Sequence, residues 1–493
     1  MSFRNQTVYR KQVLPLNLIV ALGLLAILTF TSIFFIAPAR AAGVQTLTGS
    51  INGAAYLIQV PPNWNGTLVL YSHGYQTPNL AAPGAPNPNP PTDAGDPITG
   101  NALLAQGYAL AGSAYRSTGW ALEDAFKDQT ALLDYFNTQF GKPQRTIAWG
   151  HSLGGIITAG LVQKFPQRFD AALPMCGVLS GGVGTWNQAL DATFAFKVLL
   201  ASTSPLQLVH ITNPGGNLGL AEQLLAQAQA TPQGRARLAL VAAFGDTPGW
   251  FDPTSAEPAS NDYASREYNQ FLWSKNVNFP FVFAFRAELE ARSGGNPSWN
   301  TGVNYRVQLA HSINRDEVRA LYREAGLNLE QDLEALEDAP RISADPKAVS
   351  YLSKNISFNG EIHIPVLTMH TSGDGLVVPQ NEETYAKAVE EAGNNRWLRE
   401  IFIDRAGHCS FTPAETLAAF QTLVNRLNTG RWDGSTRTEL LNSEATALGP
   451  QFNVLLQAGG KPTAPAFFNY KPSQFLRPFT LVRGDDDRKR RDD

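Results

Sequence analysis

Cysteine is nearly absent from this chain: two residues in 493, Cys176 and Cys409. That excludes a disulfide-dense scaffold and a cysteine-rich metal site. An excess of charge is lacking too, since 39 basic and 42 acidic residues leave a net charge of -3. Such a balance gives no electrostatic case for nucleic acid as a partner. The one run of like charge, Arg488-Lys489-Arg490-Arg491, lies among Asp485, Asp486, Asp487, Asp492 and Asp493. Residues 484–493 therefore read as a solvated, disordered tail rather than a binding patch. No dinucleotide-binding loop, haem motif, metal cluster or solenoid repeat occurs, so neither cofactor nor metal is expected. What remains is an ordinary globular composition, 43% hydrophobic, with length enough for a core domain and a large insertion.

A long apolar run does occur at the start. Arg4, Arg10 and Lys11 precede a stretch from Leu14 to Ile36, then Ala39-Arg40-Ala41. A basic segment, an apolar segment and an A-x-A site read as a secretory signal over residues 1–41, cut after Ala41. Because about 20 apolar residues span a bilayer, an uncleaved anchor over residues 14–36 is the alternative. Either way the expected location is secreted or extracytoplasmic, with membrane contact only through that segment.

From Gln45 the pattern is of strands. Gln45–Ile51 and Ala54–Val60 flank Asn52-Gly53, a hairpin signal. The apolar run Thr67-Leu68-Val69-Leu70-Tyr71 ends in Ser72-His73-Gly74-Tyr75, and a Pro/Asn/Gly-rich stretch to about residue 100 is expected to carry no regular element. Strands near 108–115, 145–149 and 169–176 alternate with helices near 121–140 and 153–165. Such alternation implies crossover connections and a mainly parallel sheet. It stops at residue 179 and resumes at 360. Residues 179–359, rich in Ala, Leu, Gln and Glu, read as an inserted helical cap whose aromatic residues mostly fill its own core. Residues 42–178 and 360–430 form the core domain, and 431–483 an extension expected to wrap its surface.

Gly150-His151-Ser152-Leu153-Gly154 stands between an expected strand and an expected helix. In that context G-x-S-x-G is a sharp turn presenting a serine hydroxyl, with Ser152 as nucleophile. A serine hydroxyl needs a base to take its proton. Of seven histidines, His408 follows the last expected strand in Asp404-Arg405-Ala406-Gly407-His408, on a loop that a glycine frees to swing over the serine. The base in turn needs an acceptor. Asp374 is the one acid in Thr371-Ser372-Gly373-Asp374-Gly375, after another strand, with Asp404 as its competitor. Stabilising an oxyanion requires backbone donors. Leu153 N–H supplies one, and Tyr75 or Gly74 the second.

These stretches resemble the α/β-hydrolase superfamily, in the capped, esterase- and lipase-like manner, over residues 43–178 and 364–427. The resemblance rests on His73-Gly74, Gly150-His151-Ser152-Leu153-Gly154-Gly155, Gly373-Asp374 with Pro379, and Gly407-His408. It implies an acyl-enzyme mechanism and a cap that sets the substrate; no subfamily follows from it. Cys176 and Cys409 both fall at the carboxyl edge of the sheet, where a disulfide pinning the histidine loop forms if their Cα atoms lie within about 7 Å. The leading function is an exported serine hydrolase of small-molecule carboxylic esters, with an apolar or aromatic group. A serine peptidase of the same fold is the runner-up, needing carboxylates such as Glu288, Glu290, Asp316 or Glu317 at the pocket. A non-catalytic binding protein on the same scaffold is the reading from another class.

Overall fold

A computed structural model describes residues 43–80, 82, 85–432 and 434–479. The signal, the anchor and the charged tail lie outside the described residues. Eight strands build the central sheet: β1 (Gln45–Ile51), β2 (Ala54–Val60), β3 (Thr67–Ser72), β4 (Ala109–Ser113), β5 (Arg145–His151), β6 (Ala171–Met175), β7 (Val366–Gly373) and β8 (Leu398–Ala406). Their order is β1-β2-β4-β3-β5-β6-β7-β8. The hairpin β1–β2 is antiparallel and joins β4 antiparallel; from β4 to β8 all neighbours are parallel. This is the α/β-hydrolase arrangement.

The central strands read as unbroken apolar runs because both faces are covered. On β3, Leu68 and Leu70 enter one apolar layer while Val69 and Tyr71 enter the other; on β5, Ala148 opposes Ile147 and Trp149 in the same way. The helices Leu122–Phe140 and Leu153–Lys164 cover the first layer, and Pro413–Thr429 the second.

One expectation needs correction and another is too narrow. The Pro-rich stretch ends in a helix, Pro97–Ala105, because Asp96 caps it by accepting from Thr99 N and Pro97 fits its first turn. The C-terminal extension does more than wrap: Phe467–Phe468 pairs antiparallel with β8 and adds an edge strand, and Thr438–Ala447 packs on Pro413–Thr429.

Between β6 and β7 the described residues form nine α-helices, from Gly181–Leu200 to Pro346–Asn355, and two π-helical turns, Ser274–Asn278 and Phe281–Phe285. They share a separate apolar core that includes Phe194, Phe196, Phe244, Phe283 and Tyr305. Trp186, Phe196, Phe279 and Phe281 also border a cavity over the sheet.

Candidate active site

Ser152 sits in the turn between β5 and the helix Leu153–Lys164 at φ 59° and ψ −121°. A non-glycine residue adopts such a backbone only when its surroundings hold it there. The hold comes from close approach on both sides: Ser152 N donates to Met175 O at 2.9 Å, and a Cβ on Gly155 would meet Gly177 Cα at 2.6 Å. The two glycines after Leu153 are thus required by packing of the turn against β3 and β6.

His408 is delivered by the loop after β8. Arg405, nearly buried, clamps Glu415 with two hydrogen bonds of 2.7 and 2.9 Å and also donates to Ser410 O. Glu415 closes the capping box of the next helix with Thr412. Thr371 Oγ1 donates to Gly407 O, and Gln457 from the C-terminal extension donates to His408 O and Cys409 O. A disulfide joins Cys409 to Cys176 at the end of β6, with Cα atoms 5.3 Å apart.

Asp374 lies just past an irregularity in the β7–β8 register and is fully buried. Its Oδ1 accepts from Leu376 N and Val377 N, each at 3.0 Å, while Oδ2 is 2.6 Å from His408 Nδ1. Burial alone would raise its pKa; facing His408 and His370 lowers it below the usual carboxylate value. An ionised carboxylate only accepts, so Nδ1 of His408 donates to it and Nε2 is free to accept from Ser152 Oγ, 2.7 Å away. The three residues singled out in the sequence therefore converge into one hydrogen-bonded chain. Asp404, the competing acid, instead accepts from Ser372 Oγ at 3.5 Å.

Leu153 N is the first N–H of its helix and has no intrahelical acceptor. Gly74 faces the nucleophile: a Cβ built there would lie 3.4 Å from Ser152 Cβ. Tyr75 follows it, its ring packed against Phe281 with centroids 4.9 Å apart. His73 orders this loop by donating from Nδ1 to Gly74 O at 2.7 Å and stacking on Tyr115, and burial lowers its pKa. His151 lies under the turn against Tyr71; burial, helped by His408, pushes it down to about 4, so it stays neutral.

The cavity above Ser152 measures about 140 Å³, close to the ~150 Å³ that accepts one benzene ring. None of its lining residues is charged. Tyr75, Trp120, Trp186 and Phe281 give it aromatic walls, and Gln188 and Asn381 polar ones. The cap rests on the acid loop through Trp273, whose indole N–H donates to Trp250 O at 2.8 Å beside Gly375.

Two groups beside the chemistry escaped the sequence reading. His370, on β7, is fully buried against Asp374, and Glu382 reaches it from the helix Gln380–Glu391. Nothing in their spacing distinguishes them from ordinary core residues.

A model of the prolyl oligopeptidase family matches residues 105–185, the segment that carries the serine turn. An o-phthalyl amidase from Xanthobacter agilis is 28% identical over 429 residues, covering 80% of this chain and 90% of that one. Among solved structures, an esterase from Aspergillus oryzae has a TM-score of 0.41 at 13% identity, covering 78% of this chain and 79% of that one. Feruloyl esterase B from Aspergillus oryzae has a TM-score of 0.37 at 13% identity, over 78% and 81%. By its sheet order, its serine turn and these sequence matches, the chain belongs to the α/β-hydrolase superfamily. Within that superfamily it is a serine hydrolase.

Proposed function

We propose that the protein hydrolyses small carboxylic esters bearing an aryl or apolar acyl group. The observation that carries this is Ser152 Oγ, bonded to His408 Nε2 at 2.7 Å, opening onto an uncharged cavity with aromatic walls. Ser152 attacks the carbonyl carbon as its proton passes to His408. Asp374 holds the imidazole in the right tautomer and stabilises the imidazolium. The oxyanion is met by Leu153 N and by the Gly74–Tyr75 backbone. His408 then protonates the leaving alcohol, and water, activated by the same base, releases the acid.

Amide substrates are the second reading, because the relative of 28% identity is an amidase by name. A peptidase that holds a charged peptide terminus is less well supported. Glu288 bonds Trp120 N and Arg292, Glu290 bonds Arg286 and His210 N, Glu317 bonds Arg266 and Asp316 bonds Arg315. None of the four acids lines the cavity, and each is engaged by another group, Glu288 by the backbone of the cavity residue Trp120. Export is part of the proposal: the basic and apolar N-terminus is joined by a disulfide that suits an oxidising compartment.

The deciding experiment follows p-nitrophenol release from acetate, butyrate, octanoate and benzoate esters and p-nitroaniline release from the matching anilides, with Ser152→Ala alongside. Serine-dependent ester turnover with benzoate preferred is expected. Anilide turnover of equal efficiency would move the amidase reading to first place, and turnover that survives Ser152→Ala would remove the proposed mechanism. Cell fractionation, with N-terminal sequencing of the mature chain, tests export.

A further inference from the structure

A neutral imidazole has one N–H donor and one lone-pair acceptor. His370 is fully buried, and both its ring nitrogens face acceptors. Nδ1 is 2.8 Å from Glu382 Oε1, and Nε2 is 2.7 Å from the carbonyl of Val377 and 3.4 Å from Asp374 Oδ2. A backbone carbonyl never donates, so Nε2 must carry a proton. At Nδ1 the proton belongs to the ring or to Glu382. The surroundings favour the ring: the Asp374 carboxylate lies 3.4 Å from Nε2, so a positive ring is attracted by a carboxylate on each side, whereas a proton on Glu382 leaves Asp374 without that cation.

We propose that His370 is a buried imidazolium that, with Glu382 as its counter-ion, holds Asp374 in place from behind as a positioning residue for the Ser152–His408–Asp374 chain. This rests on the serine-hydrolase reading for its kinetic consequence but not for its protonation state. Asp374 is then a carboxylate between two imidazole rings: one on the reaction side at 2.6 Å, one on the core side at 3.4 Å, both on Oδ2. Its Oδ1 is pinned by the Leu376 and Val377 amides. Oδ1 is thereby held by two amides while Oδ2 lies between His408 and the positive ring, which opposes rotation of the carboxylate away from His408. Val377 contributes twice, its N–H to Asp374 and its carbonyl to His370, so the turn and the cation are one unit.

The groups that face this unit agree in direction. Burial works against a charged His370, and the hydrogen bonds to Asp374 and Glu382 outweigh it, raising the ring to about 10. On β8, Glu400 is pushed up to about 8 by burial and by Glu382 and Glu383, which leaves it protonated near neutral pH. Tyr385, on the same helix as Glu382, is pushed up by burial and by the Glu382 charge, so its hydroxyl stays neutral. The cation that contacts Glu382 is His370, with Nδ1 2.8 Å from Oε1.

The test uses the whole protein labelled with ¹⁵N at its histidine rings. Both His370 nitrogens should carry protons from pH 6 to pH 8.5, the signals being assigned by their displacement in Glu382→Gln. A single protonated nitrogen at pH 7 would overturn the proposal, and this readout needs no substrate. Kinetics supply the second arm. His370→Gln removes a positive charge beside Asp374, so adding a proton to the site becomes easier and the acid limb of kcat/KM moves about one pH unit higher. Glu382→Gln removes a negative charge and moves the limb the other way. Opposite shifts are what a charged positioning pair produces. Two variants that lose activity with unmoved limbs would mark His370 and Glu382 as packing only and overturn the role. Turnover that persists in Ser152→Ala would count against the hydrolase reading alone and leave the ring's protonation to stand or fall by itself.

Discussion

At the scale of single residues, the hydrogen-bonded chain makes a sharp claim about tautomers. His408 accepts from Ser152 only while Nδ1 donates to Asp374. An amide in place of that carboxylate can present its NH₂ to Nδ1 and turn the ring into the wrong tautomer. Asp374→Asn should therefore lower kcat by about 10⁴ with KM little changed, the size seen when a triad aspartate is replaced in this way. A loss below tenfold in stopped-flow or steady-state ester assays would mean that Asp374 does not orient the base. The cavity makes a second claim. Ala192 borders it, half-buried, and a phenyl ring there would occupy much of a space of about 140 Å³. Ala192→Phe is expected to cut kcat/KM for benzoate esters by about 10–100-fold while acetate turnover survives. Equal loss for both acyl groups would show that the acyl group binds elsewhere.

At the scale of elements, the loop that carries His408 is held by an ion pair, a capping box, a side chain from the extension and one covalent bond. The disulfide closes a span of 233 residues and joins the histidine loop to the end of β6. Cys176→Ser with Cys409→Ser should cost about 2–4 kcal/mol of stability, the usual yield of a native bridge. Because the bridge ends one residue from His408, kcat should fall as well, and dithiothreitol should reproduce the change in the native protein. Urea unfolding and ester turnover measured on the same samples would show it; unchanged turnover would mean that Arg405, Thr371 and Gln457 suffice to place the loop. The elements themselves differed in how legibly they are written. Parallel strands show as apolar runs because both faces are covered, and the serine turn shows because its glycines answer to backbone close approach. The helix Pro97–Ala105 hid behind a proline that serves as its first-turn residue, and the edge strand Phe467–Phe468 is too short to leave a period. Ser152, Asp374 and His408 could be picked out because each sits in a loop just after a strand. His370 and Glu382 could not, since their meaning comes only from what the folded chain places on either side of Asp374.

At the scale of the whole molecule, the cap is tied to the core by charge at its rim and by a strap from the C-terminus. Glu288 accepts from Trp120 N and pairs with Arg292, which also reaches Asp124. Arg477, beyond the edge strand, pairs with buried Asp191 of the first cap helix and donates to Trp299 O. Inside the cap three acids are almost wholly buried. Burial raises Asp246, Glu267 and Glu317 each to about 7, against which Ser312, Gln229 and Arg266 act in part. An acid whose folded pKa exceeds its unfolded value binds its proton more tightly when folded. Its stabilising effect is complete below about pH 4, where the unfolded group is also protonated, and is lost as pH rises towards 7. The cap should thus loosen in mildly alkaline buffer. Glu267 is 2% exposed and accepts one hydrogen bond from Gln229, which a neutral amide keeps. Glu267→Gln is expected to stabilise the protein by about 1–2 kcal/mol at pH 8 and by nothing measurable at pH 4. Urea midpoints at the two pH values decide it: a variant destabilised at pH 8 would mean that Glu267 is ionised in the fold and held by Arg235, whose charge favours its anion.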